Sequence, residues 1–169
     1  GRQRLAGGLA VAVLATLGMT AVSGAQAETL RVVPSSNITV LDPIWTTAYV
    51  TRNFGYMVFD TLFGTDAQGQ VKPQMVDSWQ TSDDKKTWTF TLREGVAFSD
   101  GAAVTSEDVI ASLKRWSTRD TLGGLLAQSL DRYEAVDAKT FRMVFKEPFS
   151  MVLEALGKPS AIVPFIMPK

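Results

Sequence analysis

Two adjacent acidic pairs, Asp83-Asp84 and Glu107-Asp108, and the hydroxyl beside the second, Ser106, are the side chains whose types could carry acid–base or nucleophilic chemistry. Their spacing argues against it. Glycoside hydrolysis needs two carboxylates facing one cleft, whereas neighbouring residues of a helix point apart. Glu107 and Asp108 follow Thr105 in a capping-box-like order, so their charges suit the positive end of a helix. Asp83-Asp84 precede Lys85-Lys86 and read as a solvated turn. Ser106 has no base beside it. The 169 residues contain neither His nor Cys. Their absence removes Ser-His and Cys-His pairs, thiolate or imidazole zinc sites and disulfides from this stretch. No enzyme activity, cofactor or metal is expected of this stretch.

The rest of the chain supplies the elements that would position functional side chains. Thr29–Val33 is a short β-rich run ended by Pro34, predicting a strand that enters a loop. Pro43 disfavours helix at Asp42, and Thr46 or Thr47 can cap a helix starting near Ala48. In that helix Val50, Phe54, Met57, Val58 and Leu62 define an apolar stripe, and Gly64 is placed to stop it. Asp66-Ala67-Gln68-Gly69 suits a type I turn within a small hairpin. Trp79 lies on the next predicted strand, and Trp88, Phe90 and Leu92 alternate with Thr87, Thr89 and Thr91 on the one after it. Large aromatics in strands usually pack inward, so sheet core rather than a sugar-stacking face is expected for Trp79 and Trp88. Thr105 opens a helix with Val109, Ile110, Leu113 and Trp116 on one face, and Gly123-Gly124 breaks the pattern after Arg119. A second hairpin turns at Asp137-Ala138-Lys139 and buries Phe141, Met143 and Phe145. A short helix follows through Phe149, Val152, Leu153 and Leu156, ended by Gly157 and Pro159. The fold class read from this order is α+β, with hairpins and helices over a mixed sheet.

At the start, Arg2 and Arg4, the apolar run Leu5 to Val22 and Ala25-Gln26-Ala27 read as an export signal cleaved after Ala27. A membrane anchor is the competing reading, but Gly7, Gly8, Thr16, Gly18 and Thr20 weaken the run. With no Cys for a lipid, the expected location is the periplasm. Removing residues 1–27 takes away two of 17 basic residues and none of 17 acidic ones, leaving a net of −2. Such a balance, without a basic block, offers no footprint for nucleic acid. Residues 28–169 are expected to be the N-terminal part of a longer domain, because Ala161–Met167 reads as another buried element just before Lys169.

Pro73, Ser78-Trp79, Ser82-Asp83-Asp84, Thr87-Trp88-Thr89-Phe90-Thr91-Leu92-Arg93, Gly95-Val96-Ala97-Phe98-Ser99-Asp100-Gly101 and Thr105-Ser106-Glu107-Asp108-Val109 form one ordered run. It resembles the entry segment of the extracellular solute-binding proteins of the peptide and nickel class, which serve ABC importers. Leu41-Asp42-Pro43 and Phe59-Asp60-Thr61-Leu62, read as a helix end, also fit. Ser99 departs from the pattern, standing where family members often carry a His.

The resemblance implies a periplasmic binding protein-like fold, two-lobed in the full-length protein, that closes over short peptides or a related small solute. It also implies a monomer that delivers its cargo to ABC permease subunits in the inner membrane, without catalysis. Polar groups on loops at the cleft edge would then matter. Ser35, Ser36 and Asn37 offer them after the first strand, and the Asp120–Gly124 loop offers backbone. By carry-over from similar proteins, Trp45, Thr46, Thr47, Tyr49 and Leu122 line the cleft. Hydroxyls and amides at a helix start can pair with peptide amides without demanding one side-chain sequence. A secreted glycan-active enzyme and a structural or adhesive module are the competing readings.

Overall fold

A computed structural model describes residues 29–169, so the expected signal segment, residues 1–27, lies outside the described residues. Four antiparallel strands in the order β4 (Val76–Thr81), β5 (Thr87–Leu92), β7 (Thr140–Phe145) and β6 (Leu130–Ala135) make the main sheet. Alternation decides which face is buried. Phe90 and Leu92 of β5 and Phe141, Met143 and Phe145 of β7 all point to one side and are buried. Phe90 lies opposite Phe141 in register, and their rings stack at 5.1 Å. Trp88 joins this face half-buried, stacked on Phe90. Trp79 of β4 stays 39% exposed and meets Phe63 edge-on at 5.2 Å, so core burial holds better for Trp88 than for Trp79.

Helix α2 (Ser106–Ser117) covers the buried face with Val109, Leu113 and Trp116, all fully buried. Its start is the expected capping box: Thr105 Oγ1 accepts from the Asp108 amide, and the Asp108 carboxylate accepts from the Thr105 amide at 2.9 Å. Trp116 is held in place by an indole N–H donated to the Ile162 carbonyl at 2.8 Å. Burying a side chain of that size contributes on the order of 2–3 kcal/mol.

The smaller elements follow local chemistry. β2 (Phe63–Thr65) and β3 (Val71–Pro73) form the hairpin expected around Asp66-Ala67-Gln68-Gly69, with Gly69 at φ +76° and Asp66 Oδ1 accepting the Gln68 and Gln70 amides. α4 (Val152–Leu156) ends at Gly157 as expected. β8 (Phe165–Ile166) pairs with β1 (Asp60–Thr61) and is buried, realising the element expected near Ala161–Met167.

Several expectations give way. Thr29–Val33 forms no strand: these residues are exposed and none of the described strands pairs with them. The α+β class holds, but every strand pair among the described residues is antiparallel, so the parallel part of a mixed sheet does not occur there. The first helix, α1 (Tyr49–Val58), ends at Val58 instead of running on toward Gly64, which sits in β2 opposite Lys72. Its buried residues are Thr51 and Gly55 rather than the Val50–Phe54–Met57–Val58 stripe, and Met57 is 80% exposed. Small residues win this face because α1 docks through Gly55 against Phe165, which leaves no room for larger ones. Gly123-Gly124 do not break the chain into a loop: they lie inside α3 (Thr121–Ser129). A Cβ on Gly123 would fall 3.0 Å from Ser117 Cα and from the Trp116 ring, so glycine permits the close α2–α3 contact.

Candidate functional site

The segment Leu41–Tyr49 is built as a turn with an exposed rim. Asp42 Oδ1 accepts the Ile44 amide at 3.0 Å, and the Trp45 amide donates to the Asp42 carbonyl at 3.2 Å. Pro43 and Ile44 are buried, and this peg forces the following indole outward: Trp45 is 60% exposed. Thr46 Oγ1 accepts the Ala48 amide at 3.2 Å, which shapes the turn before α1 rather than capping the helix; the N-cap position, Ala48, has no side-chain cap. Thr47 is exposed, and Tyr49 is 68% exposed with the Arg52 guanidinium 4.5 Å from its ring centre.

The junction of α2 and α3 meets this rim. Arg119 lies 4.0 Å from the centre of the Trp45 ring and donates from Nη2 to the Trp45 carbonyl at 3.1 Å. Arg115, one turn earlier, pairs with the Asp42 carboxylate. Asp120 caps α3 by accepting the Gly123 amide at 2.9 Å, and its other oxygen meets Lys158 Nζ at 2.5 Å. Leu122 follows in the first turn of α3, half-buried against the core.

The structure therefore gathers Trp45, Thr46, Thr47 and Tyr49 on one segment and ties that segment to the junction from which Leu122 emerges. Ser35, Ser36 and Asn37 are exposed and make no side-chain hydrogen bond among the described residues, so nothing joins them to this group. The Asp120–Gly124 backbone, expected free in a loop, is largely taken up by the start of α3. Arg115 and Arg119 were not legible as site residues, because the residues they hold lie more than 70 positions earlier.

Glu107 and Asp108 sit at the start of α2, where Asp108 accepts from Thr105 and Glu107 pairs with Lys169. Asp84 takes the Ser82 hydroxyl and the Lys86 amide in its turn, and those donors hold its carboxyl below the usual range. Ser106 donates to the Asp137 carbonyl. A groove of about 270 Å³ is lined by Asp60 and Asp100 with Met75, Phe98 and Ile166. In it Asp60 accepts from Thr61 and Gln74, and Asp100 accepts the Ala102 amide at 2.9 Å. Asp42 pairs with Arg115 and accepts the Ile44 amide.

Residues 70–168 match the model of the bacterial extracellular solute-binding proteins, family 5, and the chain belongs to that family. It is 39% identical over 164 residues to a probable peptide ABC transporter periplasmic-binding protein, y4tO, of Sinorhizobium fredii, covering 96% of this chain and 30% of that protein. It is 31% identical over 157 residues to the glutathione-binding protein GsiB of Escherichia coli K12, covering 90% of this chain and 29% of the other. Among solved structures, MoaA of A. tumefaciens R10 in complex with mannopinic acid superposes with a TM-score of 0.67 at 29% identity, over 78% of this chain and 27% of that one. NikA of Brucella suis in complex with Fe(III)-EDTA gives 0.65 at 25% identity, over 78% and 26%. The chain thus spans about 30% of the length of the curated relatives it matches. Among the described residues no helix is long and apolar enough to cross a membrane.

Proposed function

We propose that this chain is the N-terminal part of the substrate-binding component of an ABC importer, which captures a short peptide or a related small polar solute by closure of two lobes and passes it to a permease. The observation that carries this reading is the exposed Trp45–Tyr49 rim, an aromatic and hydroxyl surface fixed on the lobe instead of buried in it. Such a rim offers rings for stacking and Thr46 and Thr47 oxygens for hydrogen bonds, the mixture that small-molecule clefts use. Leu122 belongs to the same proposed binding surface, and Ser35, Ser36 and Asn37 are proposed as separate polar ligand contacts. The relatives' names support a peptide or glutathione-like ligand, and the ligands of MoaA and NikA extend the reading to other small carboxylate-bearing solutes. Work in the periplasm without covalent chemistry on the cargo follows from the same reading, with export directed by residues 1–27.

Thermal unfolding of the complete gene product with glutathione, di- and tripeptides, opines and metal chelates tests it. A ligand that binds only the folded state raises the melting temperature with its concentration. The reading expects such a rise, with quenching of Trp fluorescence, for at least one of these solutes; no rise for any of them contradicts it.

A further inference from the structure

Arg115 lies in the last turn of α2, where the helix dipole favours cations, and Arg119 lies in the turn that follows the helix. Each holds one end of the same four-residue segment, residues 42–45. Arg115 engages the Asp42 side chain at its start, and Arg119 engages both the ring and the carbonyl of Trp45 at its end. Ile44 is buried between them, 2% exposed. An indole that stands 60% exposed would ordinarily exchange among rotamers. Here one of its faces is covered by a guanidinium that is itself fixed by the hydrogen bond to the Trp45 backbone.

We propose that Arg119 is a positioning residue for ligand binding: it holds the Trp45 ring as a preformed platform and acts through that ring. The proposal rests on the reading of the Trp45–Tyr49 rim as ligand-binding. Two features of Arg119 make the role specific. A planar guanidinium can lie on a ring and donate in its own plane at once, which an ammonium cannot. One Nη2 N–H is donated to the Trp45 carbonyl, which fixes the guanidinium beside the ring. A platform fixed before the ligand arrives spares the ordering cost that a mobile indole would impose on binding.

The test uses 5-fluorotryptophan labelling of the complete gene product, which gives one fluorine resonance for each tryptophan, and Trp45→Phe identifies the one of interest. In Arg119→Ala the Trp45 resonance is expected to move toward its position in the unfolded chain, while those of Trp79, Trp88 and Trp116 stay in place. Arg119→Lys is expected to behave like Arg119→Ala. A Trp45 resonance unchanged in Arg119→Ala overturns the proposal. The second arm is a double-mutant cycle in the complete gene product with glutathione as the probe. Arg119→Ala is expected to weaken binding by roughly tenfold and to add nothing once Trp45 is Ala. An equal loss with and without Trp45 overturns the proposal, because Arg119 would then act on the ligand directly. Failure of glutathione to bind bears on the solute reading alone, and the fluorine spectrum still decides the role of Arg119.

Discussion

Gly55 and Phe165 are pressed together: a Cβ on the glycine would lie 2.7 Å from Phe165 Cε2 and 3.0 Å from Pro43 Cβ. Phe165 is itself buried and packed between Tyr56, edge-on at 5.0 Å, and Phe59 at 6.1 Å. One contact thus joins α1, the turn that carries Trp45, and β8.

Gly55→Ala sets two effects against each other. Alanine favours the helix by about 1 kcal/mol. Forcing a methyl group into a packed aromatic site costs about 1–3 kcal/mol, and at 2.7 Å the ring must move. Net destabilisation by up to about 2 kcal/mol is expected from urea unfolding, with a shift of the Trp45 fluorine resonance because Pro43 moves too. A stabilised Gly55→Ala protein would mean that α1 does not dock this way.

Asp120 and Lys158 form a largely buried ion pair, with Asp120 also capping α3. Removing one partner of such a pair leaves a charge without compensation, which costs about 3 kcal/mol. Asp120→Ala also loses the cap, worth about 1 kcal/mol. Asp120→Ala is therefore expected to destabilise more than Lys158→Met in chemical denaturation, and the reverse order would contradict the assignment of the cap.

Tyr133 and Trp88 flank Met143 in one row across the sheet, and their polar atoms, the hydroxyl and the indole N–H, are buried without a hydrogen-bond partner among the described residues. Burial pushes the Tyr133 hydroxyl well above its usual pKa. A group raised in the folded state contributes stability below the unfolded value, about 10 for tyrosine, and that contribution is lost as pH rises through the folded value. Stability is expected to fall above about pH 10, and Tyr133→Phe to be neutral or stabilising at pH 7 and to lessen the alkaline loss. An unchanged alkaline limb in Tyr133→Phe would refute this.

The acid side has the opposite sign. Asp137 is held below the ordinary carboxylate range by the amides of Lys139 and Thr140, and Asp66 by the amides of Gln70 and Gln68. For Asp108 partial burial pushes upward, but the Thr105 hydroxyl and amide and the Lys169 amide outweigh it. Carboxyls depressed in the folded state contribute stability above their unfolded value, about 4, and lose it as pH falls through the folded ones. Denaturation midpoints are expected to hold from pH 7 to about 5 and to drop below about 4, with a shallower drop in Asp137→Ala. A midpoint independent of pH between 5 and 2 would show that these turns form no such bonds.

The parts of the fold that were legible in the sequence are those set by local rules. The alternation of Phe90 and Leu92 with threonines, the Asp66–Gly69 turn and the Thr105 capping box each act within a few residues, and each forms where its pattern predicts. The α1 stripe misled because hydrophobicity measures what could be buried. What is buried was decided by Phe165, 110 residues after Gly55. Gly123 was read as a breaker for the same reason: its purpose, contact with Ser117 and Trp116, is a matter of packing between helices. The proposed rim was legible as a run of aromatic and hydroxyl residues from Trp45 to Tyr49, but not as a set held in place, since the Arg115 and Arg119 contacts join distant parts of the chain.

The most direct test of a capture role is calorimetric titration of the complete gene product with short peptides, glutathione, opines and metal chelates, followed by mass spectrometry of the solute released on denaturation. Saturable one-to-one heat with at least one of them, weakened in Trp45→Ala, and release of that solute chemically intact are the predicted results. No saturable heat with any of them, or a solute recovered cleaved, would contradict the account.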